Sequence, residues 1–166
     1  MSIQDREKIA AGIRDKYKKV AAAPKSHFKY PAGRDGLKGL HYDKTLITDL
    51  PDAVADSFCG VGNPFSLGNI RSGDFVPDIG CGSGVDALLA AKLVGTSGKV
   101  LGIDMTKEMI QKANSNRKIM NANNIGFQVS RVQDLTGPEE RFDVVISNGV
   151  TSSLIKMMPF KPHTDC

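Results

Sequence analysis

The chain has 166 residues, with 22 Lys and Arg, 18 Asp and Glu, three His, three Cys and no Trp, which gives a formal net charge of +4. This length is typical of one domain and can bury enough surface to fold without disulfides or a structural metal. The apolar fraction of 40% argues against a disordered, collagen-like or coiled-coil chain.

The cysteines and the N-terminus indicate the compartment. The Cys residues at positions 59, 81 and 166 form neither a C-x-x-C pair nor a disulfide framework. The first residues lack the apolar region of a signal peptide, and no run approaches the ~18 apolar residues of a membrane span. We therefore expect a soluble, cytoplasmic protein with no membrane partner.

The basic residues are unevenly distributed along the chain. Residues 1–50 contain 11 basic and 6 acidic residues, whereas the remainder contains 11 and 12. Because the charges alternate in sign and no aromatic platform or nucleic-acid-binding motif accompanies them, we interpret the basic excess as a solvated helix face. We expect no nucleic-acid partner. The three His have no Cys or His at metal spacing, so we expect no metal site.

The N-terminal third is predicted to be mainly helical. Apolar residues recur every three or four positions over residues 4–20, which predicts an amphipathic helix with a basic C-terminal turn. Residues 24–39 contain two Pro and three Gly and predict a surface loop. Residues 46–58 predict one or two short helices. We assign residues 1–72 to an N-terminal helical or lid segment.

After Gly73 short apolar runs alternate with helical periods, which is typical of βαβ units around a parallel sheet. Strands are predicted at residues 75–79, 99–104, 126–132 and 142–147. Helices are predicted at residues 85–94 and after Thr106, which is placed as an N-cap. Right-handed crossovers give the strand order 3-2-1-4, with a ligand crevice outside strands 1 and 4.

The first predicted strand leads directly into a glycine-rich loop of the form D-x-G-x-G-x-G. It begins at Asp78, and its glycines are Gly80, Gly82 and Gly84. Glycine lets the chain turn tightly and leaves no Cβ between the backbone and a ligand. A nicotinamide-binding loop has its third glycine one residue later, so the spacing argues against NAD. The second strand ends at Asp104, whose carboxylate can accept hydrogen bonds from both hydroxyls of a ribose.

This loop, with an acid at the end of the strand, resembles the first motif of the Rossmann-like S-adenosylmethionine-dependent methyltransferases. The resemblance implies S-adenosylmethionine as the cofactor, with the loop against its methionine and ribose portion. It also implies that Asp78 is oriented toward the cofactor's amino group and that Met105 lies against the adenine face. The cofactor-binding residues expected from the glycine loop, Asp104 and this resemblance are Asp78, Gly80, Gly82, Gly84, Asp104, Met105, Val132, Gln133 and Asn148.

Further segments are similar to arsenite methyltransferases and their close relatives. They lie at residues 33–36, 50–52, 57–65, 102–106 and 147–150, within a likeness that spans residues 9–150. The resemblance implies a small-molecule methyl acceptor, with trivalent arsenic as a soft centre that several thiolates hold. This chain has Gly149 where the arsenite enzymes usually have a cysteine. Cys59 is the candidate thiolate, Cys81 is interpreted as a packing residue of the loop, and no other catalytic residue is predicted.

The predicted fold is therefore an α/β Rossmann-like methyltransferase sheet preceded by an N-terminal helical segment. Residues 73–150 are expected to form a partial cofactor-binding domain that lacks the family's C-terminal strands, and residues 151–166 an unrelated tail. The fourth strand would then be an open edge along which two copies can pair. Three functions stay open: an arsenite methyltransferase-like enzyme, a methyltransferase for a small organic acceptor, and a truncated non-catalytic fragment that binds the cofactor or a partner protein.

Overall fold

The computed structural model describes residues 3–22, 30–131 and 142–149. The N-terminal helices are α1 (Ile3–Ala22), α2 (Gly33–Gly39), α3 (Lys44–Ile47) and α4 (Asp52–Ala55), followed by a 3₁₀ turn at Pro64–Ser66. The alternating part consists of β1 (Phe75–Ile79), α5 (Val85–Val94), β2 (Lys99–Asp104), α6 (Lys107–Ile119) and β3 (Ile125–Val129). This order confirms the predicted α/β fold class. It also confirms the helices predicted over residues 4–20, 46–58 and 85–94.

The three strands form a parallel sheet in the order β1-β2-β3. Asp78 of β1 lies opposite Gly102 of β2, which lies opposite Phe127 of β3. The third strand was predicted over residues 126–132, but it ends at Val129. The reason is that Val129 pairs with Asp104, the last residue of β2, so β3 has no strand partner beyond that point.

The segment predicted as the fourth strand lies beside β1, as the predicted order requires, but it is not a regular strand. It makes one isolated parallel bridge, between Asp78 and Ile146. The backbone N–H of Phe75 donates to the side chain of Asp143 at 2.7 Å instead of to a backbone carbonyl. The backbone still pairs with β1. The Asp143 N–H donates to the Phe75 carbonyl at 3.1 Å, the Ile146 N–H to the Pro77 carbonyl at 3.0 Å, and the Ile79 N–H to the Ile146 carbonyl at 2.9 Å. The pairing of two copies along this segment stays a prediction.

Helix α2 corrects the prediction of a surface loop over residues 24–39, of which the structure describes residues 30–39. The helix forms in spite of its glycines because tertiary contacts hold it. Gly33 donates its N–H to the Phe58 carbonyl at 2.7 Å, and Leu37 is completely buried. A Cβ at Gly36 would lie 2.6 Å from the Pro31 carbonyl oxygen, so glycine permits the close approach.

The N-terminal helices and the sheet share one hydrophobic core. Leu37, Val54 and Phe58 from the helical part belong to the same buried cluster as Val76 of β1 and Leu88 of α5. Helix α1 contacts α6. At the carboxyl end of β1, the Ser83 hydroxyl donates to the Ser57 carbonyl of the N-terminal part at 2.8 Å. Within the ranges given above, no helix is long and apolar enough to cross a membrane.

Candidate functional site

The glycine loop connects β1 to α5 at the carboxyl end of the sheet. The N–H groups of Gly80 and Cys81 both donate to the Ile103 carbonyl, at 2.7 and 3.0 Å. Gly80, Gly82 and Gly84 have φ angles of 74°, 53° and 80°. These values lie in the left-handed region, which glycine adopts without the steric cost that a Cβ imposes. The backbone of the loop thus requires the residue type that the sequence places there.

The glycines of this loop have different surroundings. A Cβ at Gly82 would meet nothing within 4 Å, whereas a Cβ at Gly84 would lie 2.6 Å from Cζ of Phe127 and 3.0 Å from Cβ of Ala113. The missing side chain at Gly84 therefore allows α5 to begin close against β3 and α6. At Gly82 it leaves the backbone accessible from the crevice.

Asp104 lies directly beside Gly82. Its Oδ2 accepts a hydrogen bond from the Gly82 N–H at 3.0 Å, and its Oδ1 accepts one from the Thr106 N–H at 2.8 Å. An ionised carboxylate has about four acceptor positions, so about two stay available. Thr106 occupies the predicted N-cap position of α6, although its side chain makes no capping bond. Met105 follows Asp104 and is half-buried.

Asp78 is buried at the end of β1, with 2% of its surface exposed. Its Oδ2 has no hydrogen-bond partner. Burial raises the pKa of this carboxyl well above its usual range, and the nearby Asp86 and Asp104 raise it further. Since buried polar atoms are normally paired, an acceptor without a donor here is the kind of feature that a ligand cation would satisfy.

Asn148 joins the segment beside β1 to a turn of the N-terminal part. Its Oδ1 accepts hydrogen bonds from the N–H groups of Val61 and Gly62, at 3.0 and 2.9 Å. Its Nδ2 donates to the Gly62 carbonyl and to Oδ2 of Asp86, both at 2.8 Å. These bonds use both hydrogens of the amide and its oxygen. The structure therefore places Asn148 against the turn and α5, with its amide engaged by protein groups.

Sequence reasoning missed two members of this site, Tyr42 and Asp86. The Tyr42 hydroxyl donates to Oδ1 of Asp86 at 2.7 Å. Burial raises the pKa of Asp86 to about 6, against the lowering effect of the hydrogen bonds from Asn148 and Tyr42. Burial also raises the pKa of the Tyr42 hydroxyl. An available signal was that Asp86 is the one acid within the otherwise apolar start of α5.

Cys59 lies in the turn that Asn148 holds, and it is partly buried. Burial, followed by the charges of Asp104 and Asp86, raises the pKa of its thiol to about 11. The sulfur therefore has to lose a proton before it can act as the predicted thiolate, and this role of Cys59 stays a prediction. Cys81 is buried, with its Sγ 3.0 Å from where a Cβ on Gly102 would lie.

Val132 and Gln133 lie outside the described residues, so their expected contacts with an adenine edge stay predictions. Among the residues that the structure does describe, no group of three His, Cys, Asp or Glu is arranged to hold a metal ion.

Comparison with known proteins identifies the family. A profile of the methyltransferase domain family matches residues 70–164. This chain belongs to that family. The match contains the glycine loop, Asp86, Asp104 and Asn148, and it extends into the tail over residues 151–166 that the sequence analysis set apart.

Several methyltransferases are similar to this chain. An arsenite methyltransferase of Halobacterium salinarum is 39% identical over 117 residues, which cover 70% of this chain and 30% of that protein. A ribosomal protein L11 methyltransferase of Dictyoglomus thermophilum is 32% identical over 88 residues, which cover 53% of this chain and 28% of that protein. The chain thus spans about a third of the length of the curated relatives it matches.

A solved structure supports the same assignment. The arsenic(III) S-adenosylmethionine methyltransferase of Chlamydomonas reinhardtii is 38% identical to this methyltransferase-family chain, with a TM-score of 0.56. The similarity covers 64% of this chain and 38% of that one. Both the sequence resemblance and the fold class predicted for the chain are therefore confirmed.

Proposed function

We propose that this chain binds S-adenosylmethionine in the crevice at the carboxyl end of its sheet and transfers the methyl group to trivalent arsenic. The observation that carries the proposal is the combination of an open glycine backbone with two differently placed carboxyl groups. Gly82 is accessible, Asp104 lies beside it, and Asp78 has a buried oxygen without a partner. Family membership and the arsenite methyltransferase relatives support the same reading.

The crevice residues fit this cofactor in charge and in hydrogen-bonding capacity. The unpartnered Oδ2 of Asp78 is an acceptor for the cofactor's ammonium group, which would neutralise a buried carboxylate. Asp104 keeps acceptor positions for the two ribose hydroxyls. The accessible face of Gly82 admits the ligand to the backbone, and Met105 is proposed for the adenine face. In the same proposal Val132 and Gln133 contact the adenine edge.

The methyl transfer requires few catalytic groups from the protein. When bound, S-adenosylmethionine supplies a methyl group on a positively charged sulfur, which leaves with the carbon–sulfur electron pair. Trivalent arsenic carries a lone pair, so it needs no general base to take up the methyl group. The chain's residues have to hold the two reactants in line and to exclude water. An arsenic atom that donates its lone pair becomes formally pentavalent, so two equivalents of an added thiol, which are oxidised to a disulfide, are required to return it to the trivalent state.

Cys59 is the residue proposed to bind the arsenic. It lies close enough to Asp104 and Asp86 for their charges to act on its thiol. Soft thiophilic centres bind thiolate, so arsenic would have to displace the proton that the raised pKa keeps on the sulfur. This predicts that arsenic binding releases a proton at Cys59.

A small organic acceptor is the second candidate. The described residues contain one partly exposed cysteine, because Cys81 is buried. Gly149 stands where a further cysteine is usual in arsenite enzymes. A site with one thiol is a weaker arsenic ligand set than a site with several, and this observation favours a carbon, nitrogen or oxygen acceptor.

Calorimetry followed by a methyl-transfer assay tests these proposals. Titration with S-adenosylhomocysteine measures cofactor-site binding alone. The protein is then incubated with methyl-labelled S-adenosylmethionine, glutathione, and either arsenite or no arsenite. Methylated arsenic is detected by liquid chromatography with elemental mass spectrometry. Cys59→Ser should lose arsenic methylation while it keeps its affinity for S-adenosylhomocysteine.

The outcomes separate the hypotheses. Methylated arsenic that depends on Cys59 supports the first proposal. Labelled product from a panel of small organic acceptors, with none from arsenite, supports the second. Binding of S-adenosylhomocysteine without turnover of any acceptor would reject both and indicate a non-catalytic cofactor-binding chain. Absence of binding would reject the cofactor proposal itself.

A further inference from the structure

We propose that Asp86 and Tyr42 are positioning residues that set the Cys59 turn, residues 59–62, against the glycine loop. This inference rests on the proposed function, in which Cys59 faces the methyl acceptor. It concerns a polar network that joins Tyr42 of the N-terminal part, Asp86 of α5 and Asn148 of the segment beside β1. The partners lie 44 and 62 residues apart in the sequence, so the network assembles only in the folded chain.

The hydrogens of the network can be assigned from the distances. The Tyr42 hydroxyl has one hydrogen, and its closest acceptor is Oδ1 of Asp86 at 2.7 Å, compared with 3.0 Å to the Gly62 carbonyl. The two amide hydrogens of Asn148 point to Oδ2 of Asp86 and to the Gly62 carbonyl. With Asp86 ionised, every donor in this set has an acceptor. The carboxylate therefore receives hydrogen bonds on both of its oxygens.

This assignment fixes the orientation of the Asn148 amide. Because Asp86 can only accept when ionised, it selects the orientation in which the amide nitrogen faces α5. The amide oxygen then faces the turn, where it accepts the N–H groups of Val61 and Gly62. The bond from the Asn148 Nδ2 to the ionised Asp86 is stronger than a bond between neutral groups. Asp86 thus acts on the turn through Asn148, without touching it.

The Cys59 turn is held by close packing as well as by hydrogen bonds. Gly60 approaches the Asn148 amide so closely that a Cβ there would overlap it, and the same Cβ would lie 2.7 Å from Cζ of Phe58. On the other side, the Tyr30 hydroxyl donates to the Cys59 carbonyl at 3.1 Å. The position of the Cys59 thiol is therefore set by contacts on both sides of its backbone. Loss of the hydrogen bond between Asn148 and Asp86 would free the side of the turn that Asn148 contacts.

Asp86→Asn is a nearly isosteric test of this role. An amide at position 86 could keep its oxygen toward the Asn148 NH₂ only with its own NH₂ toward the Tyr42 hydroxyl, which would then have to turn its hydrogen to the Gly62 carbonyl. The charge that Asn148 and Tyr42 donate to would be lost. Tyr42→Phe removes one hydroxyl from the same network. Asp49→Asn, at an exposed carboxylate outside the network, is the matched control.

The readout is the rate at which iodoacetamide alkylates each cysteine, measured by peptide mass spectrometry on the whole chain. Asp86→Asn should raise the rate at Cys59 by about tenfold, as expected when a bond to a charged group no longer opposes local opening. Cys81, buried in the glycine loop, is the internal control and should keep its rate.

Two results would overturn the proposal. An unchanged Cys59 rate in Asp86→Asn would show that the carboxylate does not hold the turn. A parallel rise at Cys59 and Cys81 would show general opening of the fold instead of positioning. If Asp86→Asn does not fold, the same two rates in Tyr42→Phe decide the question. Alkylation requires no methyl transfer, so this result is independent of whether the proposed function holds. In a chain that does transfer methyl groups, Asp86→Asn should lower kcat.

Discussion

Gly82→Ala tests whether the accessible backbone of the glycine loop is the ligand surface. Gly82 has a φ of 53°, and an added Cβ would meet nothing within 4 Å. The substitution should therefore lower the free energy of unfolding only by the strain of an L-residue in the left-handed conformation, roughly 1–2 kcal/mol. The new methyl group would stand on the side that the ligand is proposed to occupy. Overpacking of that contact should weaken S-adenosylhomocysteine binding by about 1–3 kcal/mol, or about 5- to 150-fold.

Two other glycines provide the controls. Gly73 also has a positive φ, of 92°, and an added Cβ would be 3.7 Å from Oγ of Ser97, which is an ordinary contact. Gly73→Ala should destabilise the fold by a similar ~1–2 kcal/mol and leave binding unchanged. Gly84→Ala adds a collision with Phe127 at 2.6 Å to its backbone strain. Its total cost to folding should be about 2–5 kcal/mol, the sum of strain and overpacking.

Urea unfolding followed by circular dichroism gives the stability of the three variants, and calorimetry with S-adenosylhomocysteine gives their affinities. Stability should fall most for Gly84→Ala, while affinity should fall specifically for Gly82→Ala relative to Gly73→Ala. Wild-type affinity in Gly82→Ala would refute the assignment of this backbone as the ligand surface. A stability loss at Gly82 as large as at Gly84 would refute the description of the site as open.

Three further predictions concern the carboxyl groups. Asp104→Ala should weaken S-adenosylhomocysteine binding by roughly 1–3 kcal/mol through lost charge-assisted bonds, and equal affinities by calorimetry would contradict its proposed role. The pKa of Asp86 is raised from 3.8 to about 6. The protonated carboxyl therefore makes its full contribution to folding stability below pH 3.8, and up to ~3 kcal/mol of this contribution is lost as the pH rises through 6. Urea titrations from pH 3.5 to 7 should show that Asp86→Asn flattens this part of the curve. Asp78 also has a raised pKa, so ligand binding that pairs it with an ammonium should release a proton and strengthen as the pH rises. Calorimetry in buffers of different ionisation enthalpy measures that proton, which Asp78→Asn should abolish.

The sequence alone determined the parts of the fold whose signals are local. Strands β1 and β2 and helix α5 occupy the predicted residues, because apolar periodicity and flanking glycines act within a short stretch of chain. The glycine loop and Asp104 were predicted for the same reason, since strand ends and left-handed glycines follow from neighbouring residues. Their meeting at Gly82 is a consequence of parallel pairing between adjacent strands.

Tertiary structure decided the features that depend on distant partners. Helix α2 forms despite its three glycines because Gly33 donates to the Phe58 carbonyl and Gly36 allows the Pro31 carbonyl to approach closely. Gly82 and Gly84 look alike in the sequence, but Phe127 of β3 and Ala113 of α6 make Gly84 a packing position.

The hydrogen-bond network around Asp86 also depends on residues that are distant in the sequence. The sequence does not indicate which residues pair with an acid in a buried helix. Tyr42 precedes Asp86 by 44 residues and Asn148 follows it by 62. A buried charge is stable only where donors converge on it, and that convergence is a property of the assembled fold.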